Sequence, residues 1–482
     1  MTDVEVQTSE NLGDATRAGA RWQLASQIID LVSAMAIMLL LAHYVSPDEF
    51  GLIAWGTALV TILIGILAIP VGSAVVAKKI PAGAQLDTAW WLAHVPCVAL
   101  YIGAVIFALA MGTHGSDLIV VIGVGISMPF MASRQILVAY LQQSLEFRSL
   151  ATSRIVGAAF STIVSLLLLA LNEPVASLIA RTTLAPLFQS LHILVVSEWF
   201  PRLRFDRRTT GEIIAYARGV AGFNAINQFA RKGDDILVGA LVNARALGLY
   251  SIAYRFIEVP VGQVGTIAEN IAFPAIVHIK DEARMRTAFL RSQRMLVWFT
   301  APVSIAAVAL GDLAIPAYLG AEWTDAGPIV QIFGPIAFLQ TASTLAGIIF
   351  LYRSATGLLV KWGIFATSVN LAGFVIGARW GVTGVAWAYL TASLILFYPS
   401  WYVPGRLIKL KPTRVFRSLS GVTVSALLTV LILVGLRQLV DLTGVVALSC
   451  LIVASSGLYW GLAMLLAPSL RADVLATIQA RG

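Results

Sequence analysis

Residues 41–56 read LAHYVSPDEFGLIAWG, a polar phrase, Ser46-Pro47-Asp48-Glu49, set between runs too apolar to face water. Ser46 is placed to cap a helix, Pro47 suits its first position, and Glu49 completes an S-x-x-E capping box. Asp48 and Glu49 then sit at the positive end of that helix dipole. The phrase specifies a tight turn between two apolar helices and by itself says nothing of function. Its echo says more. Residues 238–253 read VGALVNARALGLYSIA, and Ala20-Arg21 recurs as Ala217-Arg218, Val45 as Val242, and Gly51-Leu52 as Gly248-Leu249, all at one offset and without a gap. The first helix pair therefore has a counterpart later in the chain.

Composition says where these helices lie. The 482 residues are 58% hydrophobic and 12% charged, with mean hydropathy +0.84, whereas a soluble domain carries about 25% charged residues. The chain reads as an all-α polytopic membrane protein. Fourteen apolar stretches qualify as spans of roughly 20 residues, near 22–45, 50–77, 88–111, 118–142, 152–171, 174–196, 214–241, 247–279, 292–318, 326–351, 356–378, 380–403, 417–439 and 443–466.

The positive-inside rule orients them. A cytoplasmic N-terminus puts Arg17, Arg21, Lys78, Lys79, Arg148 and Arg154 in the cytosol, with the clusters at 202–208, 280–294, 353–361 and 406–417; Arg245, Arg379 and Arg437 are left outside. One helix more or fewer would scramble that separation. Six spans separate the two copies of the opening phrase, so both enter from the same side, as a parallel repeat. The expected organisation is a cytoplasmic tail (1–21), a six-helix bundle (22–196), a basic cytoplasmic linker (197–213), a second six-helix bundle (214–403), a basic loop (404–416), two further spans (417–466) and a cytoplasmic tail (467–482). Transporters with such repeats place the substrate site at the repeat interface and expose it to each side in turn.

Other classes find little support. The opening 22 residues lack the basic and apolar regions of a cleavable signal. Cys97 and Cys450 are isolated in apolar runs, and the five histidines are scattered, so no disulfide framework, metal site or cofactor is indicated. A net charge of +8 belongs to cytoplasmic loops rather than to a nucleic-acid partner. No loop is long enough to hold a soluble catalytic domain, which argues against an enzyme. Trp22, Trp90, Trp91, Trp199, Trp323, Trp362, Trp380 and Trp401 lie at helix ends, as an interfacial belt would.

The first hairpin, ARW…LAHYVSPDEFGL, resembles that of the Wzx-like polysaccharide-biosynthesis flippases, of the multidrug/oligosaccharidyl-lipid/polysaccharide exporter superfamily. DDILVGALVNARALGLYSIAYR (Asp234–Arg255) and YLGAEWTDAGPIVQIFGPIAFLQ (Tyr318–Gln340) are similar to further stretches of that family. The likeness weakens over the last two helices, and RKGDD stands where many relatives carry an Asn-rich stretch. The resemblance implies a bacterial inner-membrane flippase that moves undecaprenyl-diphosphate-linked oligosaccharide to the outer leaflet for surface polysaccharide synthesis. Its partners would be that lipid-linked substrate, membrane lipid, and polymerase or assembly proteins.

Charges inside spans locate a candidate site, because each costs about 2.5–3.5 kcal/mol at mid-bilayer unless paired or hydrated. The basic set is Arg21, Arg134, Arg181, Arg218, Arg231, Lys232 and Arg255; the acidic set is Asp30, Asp234, Asp235, Glu258 and Glu269. The helices at 214–241 and 247–279 hold most of them, beside Asn224, Asn227, Gln228, Gln263 and Asn270, and should line an aqueous interior. One reading is a cationic cavity for a phosphate-bearing headgroup. The other is internal pairing: Arg231 with Asp234 or Asp235, and Arg255 with Glu258. Arg134 and Arg181 have no mate in their own helices, while Arg21 and Arg218 can snorkel to the interface. Asp30 would bind a coupling proton or Na⁺, or else bridge to a neighbouring helix. Pro70, Pro260 and Pro274, with Gly262 and Gly265, are expected to interrupt their helices.

A multidrug cation antiporter of the same superfamily would want an acidic site instead. A membrane enzyme of polysaccharide assembly would need larger loops.

Overall fold

The polar phrase at Ser46 builds the turn its residues specify. In the computed structural model, which describes residues 22, 25–277, 279, 281–439 and 444–479 (side chains at 116, 258–260, 267, 270–275, 277 and 476–479 excepted), Ser46 opens a helix over Pro47–Lys78. The Glu49 amide donates to Ser46 Oγ at 3.3 Å, and the Ser46 amide donates to Glu49 Oε2 at 2.9 Å, closing the capping box. At the matching position of the echo, Asn243 Oδ1 accepts from the Ala246 amide at 2.7 Å and caps the next long helix.

Helices are the only regular elements among the described residues. One compact unit spans residues 1–236. It contains α1 (Ala25–Leu41), α2 (Pro47–Lys78), α3 (Ala84–Ala110), α4 (Ser116–Gly125), α5 (Ser127–Gln143), α6 (Phe147–Ala170), α7 (Pro174–Val196) and most of α8 (Arg207–Leu241). A second unit spans residues 237–482. Its elements are α9 (Ala244–Val277), α10 (Glu282–Leu319), α11 (Ala326–Thr341), α12 (Ala346–Tyr352), α13 (Thr356–Gly377), α14 (Gly381–Gly405), α15 (Pro412–Leu439), α16 (Val445–Leu466) and α17 (Pro468–Gln479).

Ten of the described stretches are long and apolar enough to cross a bilayer, and one of them, 356–408, contains both α13 and α14. The chain is a multi-pass membrane protein. Each stretch marked in the sequence overlaps a helix, but α8 is a special case. Its 35 residues extend about 52 Å at 1.5 Å per residue, yet it is too polar to be among the ten.

Helix breaks fall where the sequence did not place them. Helix α2 runs unbroken through Pro70, and the backbone of α9 is helical through 260 and 274, whose side chains lie outside the described residues. Neighbouring helices and hydroxyl side chains in a membrane protein re-satisfy the groups that a proline frees. The interruptions come at Ile126, between α4 and α5, and at 342–345, between α11 and α12. The second is held open by Gln293 of α10, which is fully buried. Its Nε2 donates to the Thr341 carbonyl at 2.7 Å, and its Oε1 accepts from the Leu345 amide at 3.2 Å. One side-chain amide thus satisfies a carbonyl and an amide at the break.

Packing within each unit uses small residues and aromatic cores. Gly157 lets α7 approach α6, since a Cβ there would stand 2.7 Å from the Ala185 carbonyl oxygen. Ser165 and Ser177, both buried, exchange hydrogen bonds across the same pair, the Ser177 hydroxyl donating to the Ser165 carbonyl at 2.6 Å. In the second unit Trp323 and Trp401 are fully buried, and Trp401 meets Phe289 edge-on at 5.7 Å between ring centroids. These two tryptophans, with the buried Trp199, are core residues and not part of an interfacial belt; Trp380 remains exposed.

The segment 197–206 is pinned rather than loose. Trp91 Nε1 donates to the Arg202 carbonyl at 2.9 Å, and the Asp206 amide donates to Thr88 Oγ1 at 2.8 Å. The Arg202 amide donates to the buried Asp87 at 3.3 Å. Asp206 then caps α8: Oδ2 accepts from the Thr209 amide at 3.2 Å and also from the Thr209 hydroxyl. Those bonds from Thr209 hold the Asp206 carboxyl below the usual carboxylate range.

Candidate functional site

Four helices of the first unit converge on a cluster of guanidiniums. Helix α1 brings Asp30 and Ser33, α5 brings Arg134, α6 brings Ser153, Arg154 and Ser161, and α7 brings Arg181 and Gln189. Arg181 is buried, and its Nη2 donates to Asp30 Oδ1 at 3.1 Å and to Ser33 Oγ at 3.3 Å. Its Nη1 donates to Ser161 Oγ at 3.3 Å. Of the two roles open to Asp30, bridging to a neighbouring helix is the one its geometry displays.

Arg134 is held differently. Its Nε donates to Gln189 Oε1 at 2.5 Å, and Gln189 in turn donates from Nε2 to the buried Ser153 hydroxyl at 3.4 Å. Both partners are neutral, so the guanidinium is oriented without losing its charge. The charges acting on Arg134 are Arg154, which repels it, and Asp30, which attracts it. Arg154 was assigned to the cytosol from the sequence; in the structure its Nη1 is buried, with no hydrogen-bond partner among the described residues, and so is Arg181 Nε. Among the described residues Asp30 pairs with Arg181 and also attracts Arg134, while Arg154 adds a third positive charge beside them. The cluster keeps a net positive charge and buried N–H groups that an anion's oxygens can accept.

The remaining candidates lie elsewhere. Lys232 bridges to Asp235 at 2.8 Å on α8, one of the two carboxylates that the sequence offered to Arg231. Arg231 and Arg218 are exposed, and Asp234 is half-buried. Arg255 and Glu269 are half-buried on α9 in the second unit. Arg21 and the side chains of Glu258 and Asn270 lie outside the described residues. Among the described residues no group of His, Cys, Asp and Glu is arranged to hold a metal ion.

Sequence reading missed Arg154 and Gln189. Gln189 carried a usable signal, an amide about two turns beyond Arg181 in the same membrane span. Arg154 did not, because a cation close to a helix start reads as a loop residue.

With this geometry in hand, comparisons with known proteins become informative. A family model described as "Polysaccharide biosynthesis protein" matches residues 40–328. The teichuronic acid biosynthesis protein TuaB of Bacillus subtilis is 25% identical over 414 residues, covering 83% of this chain and 85% of the relative. The succinoglycan biosynthesis transport protein ExoT of Rhizobium meliloti is 22% identical over 374 residues, covering 76% and 75%. Among solved structures, the lipid II flippase MurJ in an inward closed conformation superposes with a TM-score of 0.69 at 15% identity, covering 94% of this chain and 99% of that one. An inward-facing multidrug resistance MATE family transporter of the MOP superfamily gives 0.56 at 13% identity, covering 80% and 96%. At these identities the structural likeness speaks for the fold, a MurJ- and MATE-like helical architecture.

Proposed function

The chain belongs to the polysaccharide biosynthesis protein family, and on that premise we propose that it is a flippase for lipid-linked saccharides. It would carry undecaprenyl-diphosphate-linked oligosaccharide from the cytoplasmic to the outer leaflet of a bacterial inner membrane by alternating access, feeding surface polysaccharide synthesis. Both termini would be cytoplasmic, with fourteen crossings arranged as two six-helix repeats and two added helices. Membrane lipid surrounds it, and polymerase or assembly proteins would receive its product.

One observation carries the reading: Arg134, Arg154 and Arg181 outnumber the Asp30 carboxylate, and Arg134 is positioned by the neutral Gln189. Such a cluster offers forks suited to phosphate oxygens. The polar, partly exposed face of α8, with Arg218, Arg231 and Lys232, would extend the cationic path, and Asp234 and Asp235 would balance part of that charge or take part in ion coupling. Arg255, Glu258 and Glu269 would serve the same purposes within the second unit. A MATE-like cation antiporter would need the opposite sign at the cluster, and no described segment between helices is long enough to house a catalytic domain.

The test is lipid analysis of a strain lacking the protein, complemented by variants. We expect lipid-linked saccharide to accumulate in the cytoplasmic leaflet, and Arg134→Ala or Arg154→Ala to reproduce that accumulation at normal expression. Drug sensitivity as the sole change, with no such intermediate, overturns the reading.

A further inference from the structure

The second unit carries two adjoining cavities that transport of a saccharide does not require. An apolar groove of about 520 Å³ runs between α10, α11, α14 and α15, walled by Phe338, Phe397, Phe416, Leu419, Leu427 and Val430 among others. A polar cavity of equal volume is lined by Arg286, Lys409, Lys411, Thr413, Arg414 and Arg417. They share the first turns of α15: Arg414 and Arg417 face the polar cavity, while Phe416 between them and Ser420 beyond face the groove. The Phe397 and Phe416 rings, stacked at 5.4 Å between centroids, form the end of the groove nearest the cations.

The charge there is compensated only in part, by Glu282, which Lys409 also reaches through space. Arg286 approaches Glu282 at 3.6 Å, and Arg353 bridges to the same carboxylate. Among the described residues Lys409, Lys411, Arg414 and Arg417 make no ion pair, and no acidic side chain lines the cavity. Four cations held together above an apolar trench ask for a ligand with an anionic head and a hydrocarbon tail. The tail length is also readable. From Phe416 to Val430 the α15 axis advances about 21 Å at 1.5 Å per residue, and one leaflet of hydrocarbon is about 15 Å deep. The groove therefore spans one leaflet and reaches past its middle, a length that an extended fatty-acyl chain fills and that the 55-carbon undecaprenyl chain would overrun.

We propose that this pair of cavities is a binding site for an anionic diacyl phospholipid of the leaflet on the basic face, its phosphate among Lys409, Lys411, Arg414 and Arg417 and one acyl chain in the groove. The lipid is a resident of the protein and not its cargo. It fills the space that α10, α11, α14 and α15 leave between them. The site stands whether or not the flippase reading holds.

Native mass spectrometry of the purified full chain in detergent tests it, with phosphatidylglycerol and phosphatidylcholine of identical acyl chains, and undecaprenyl phosphate, added as separate probes. Phosphatidylglycerol should be retained over phosphatidylcholine, and less so as salt rises. R414Q/R417Q should weaken its retention about fivefold for each cation removed, while R414K/R417K should keep most of it. Ser420→Phe, which fills the groove from an exposed position, should weaken retention with the cations intact. Equal retention of the two phospholipids, indifference to R414Q/R417Q, or undecaprenyl phosphate displacing phosphatidylglycerol at lower concentration would each overturn the proposal.

Discussion

Replacing Asp30 by Asn strands a guanidinium. The Arg181 side chain is 11% exposed and the Asp30 side chain 45% exposed, so the two halves of the pair are unequal. With Asn at position 30, a buried cation loses its counter-charge and keeps only neutral acceptors, the hydroxyls of Ser33 and Ser161 and the new amide oxygen. Without Arg181, the carboxylate still reaches water. A hydrogen bond to a charged group contributes about 1.5–3 kcal/mol, and solvent at Asp30 screens this one toward the lower end. We therefore expect Asp30→Asn to destabilise the protein by about 1.5–2 kcal/mol and Arg181→Met by about 1 kcal/mol. The double variant should lie near Arg181→Met alone, which makes the coupling about 1.5 kcal/mol. Unfolding in mixed micelles titrated with a denaturing detergent, followed by tryptophan fluorescence, reads all four corners of the cycle. The same variants separate structure from transport: the double variant should recover stability but not saccharide export, because the cation is gone. Additive free energies would show that the 3.1 Å contact carries no net interaction. Export restored along with stability would remove Arg181 from substrate handling.

Two further predictions concern the frame around that cluster. Gln293→Ala leaves the Leu345 amide unpaired at a buried break and the Thr341 carbonyl with the Thr344 amide alone, at 3.3 Å, and should destabilise by about 1–3 kcal/mol in the same micelle titration; a loss under about 0.5 kcal/mol would mean that α11 and α12 close into one continuous helix. The Asp206 cap should respond to acid. Its carboxyl is held low in the folded protein by the bonds from Thr209, so its contribution is fully present above the ordinary carboxylate range and is lost as pH falls through the lowered value. Amide exchange over residues 207–210, corrected for intrinsic rates, should speed up in that window. In Asp206→Asn, which caps without titrating, the pH response should disappear.

How far the residues announce this structure depends on the distance over which each interaction acts. The capping box at Ser46 and the cap at Asn243 involve neighbours within one turn, and both are legible. Helix positions follow from apolar runs for the same reason. Arg181 and Asp30 are far apart in the chain, and no periodicity links them; only the packing of α1 against α7 does. Arg154 was passed over as a site residue because charge counting treats a cation near a helix start as a loop residue, whereas α6 begins at Phe147 and packs its Nη1 out of solvent. Trp323 and Trp401 show the limit of the aromatic-belt rule: it places tryptophans at helix ends but does not say whether lipid or another helix covers them. The break between α11 and α12 was hidden for a different reason. Its determinant, Gln293, belongs to α10, so nothing local to the break reports it.

The way Arg134 is anchored bears most directly on what the first unit can bind. A carboxylate in the place of Gln189 would orient the guanidinium equally well but would cancel it. An amide satisfies one N–H and leaves the charge intact, and Ser153 fixes that amide in turn. In a medium of low effective dielectric an uncancelled charge acts over a longer range than it would in water. Arg154 adds to the field at Arg134, and the pair together repels any cation that enters while drawing in a phosphate. Asp30 is engaged with Arg181 and reaches Arg134 only through space. On the proposed function, discrimination by sign would arise before any specific contact with a sugar, from a neutral anchor on Arg134 and the excess of guanidiniums over the Asp30 carboxylate. Gln189→Glu is the substitution that isolates this point: it should hold Arg134 in position, leave the fold intact, and lower export sharply by cancelling the charge of Arg134 and halving the positive excess of the cluster. Export at the normal rate in that variant would mean that the positive excess of the cluster has no part in transport.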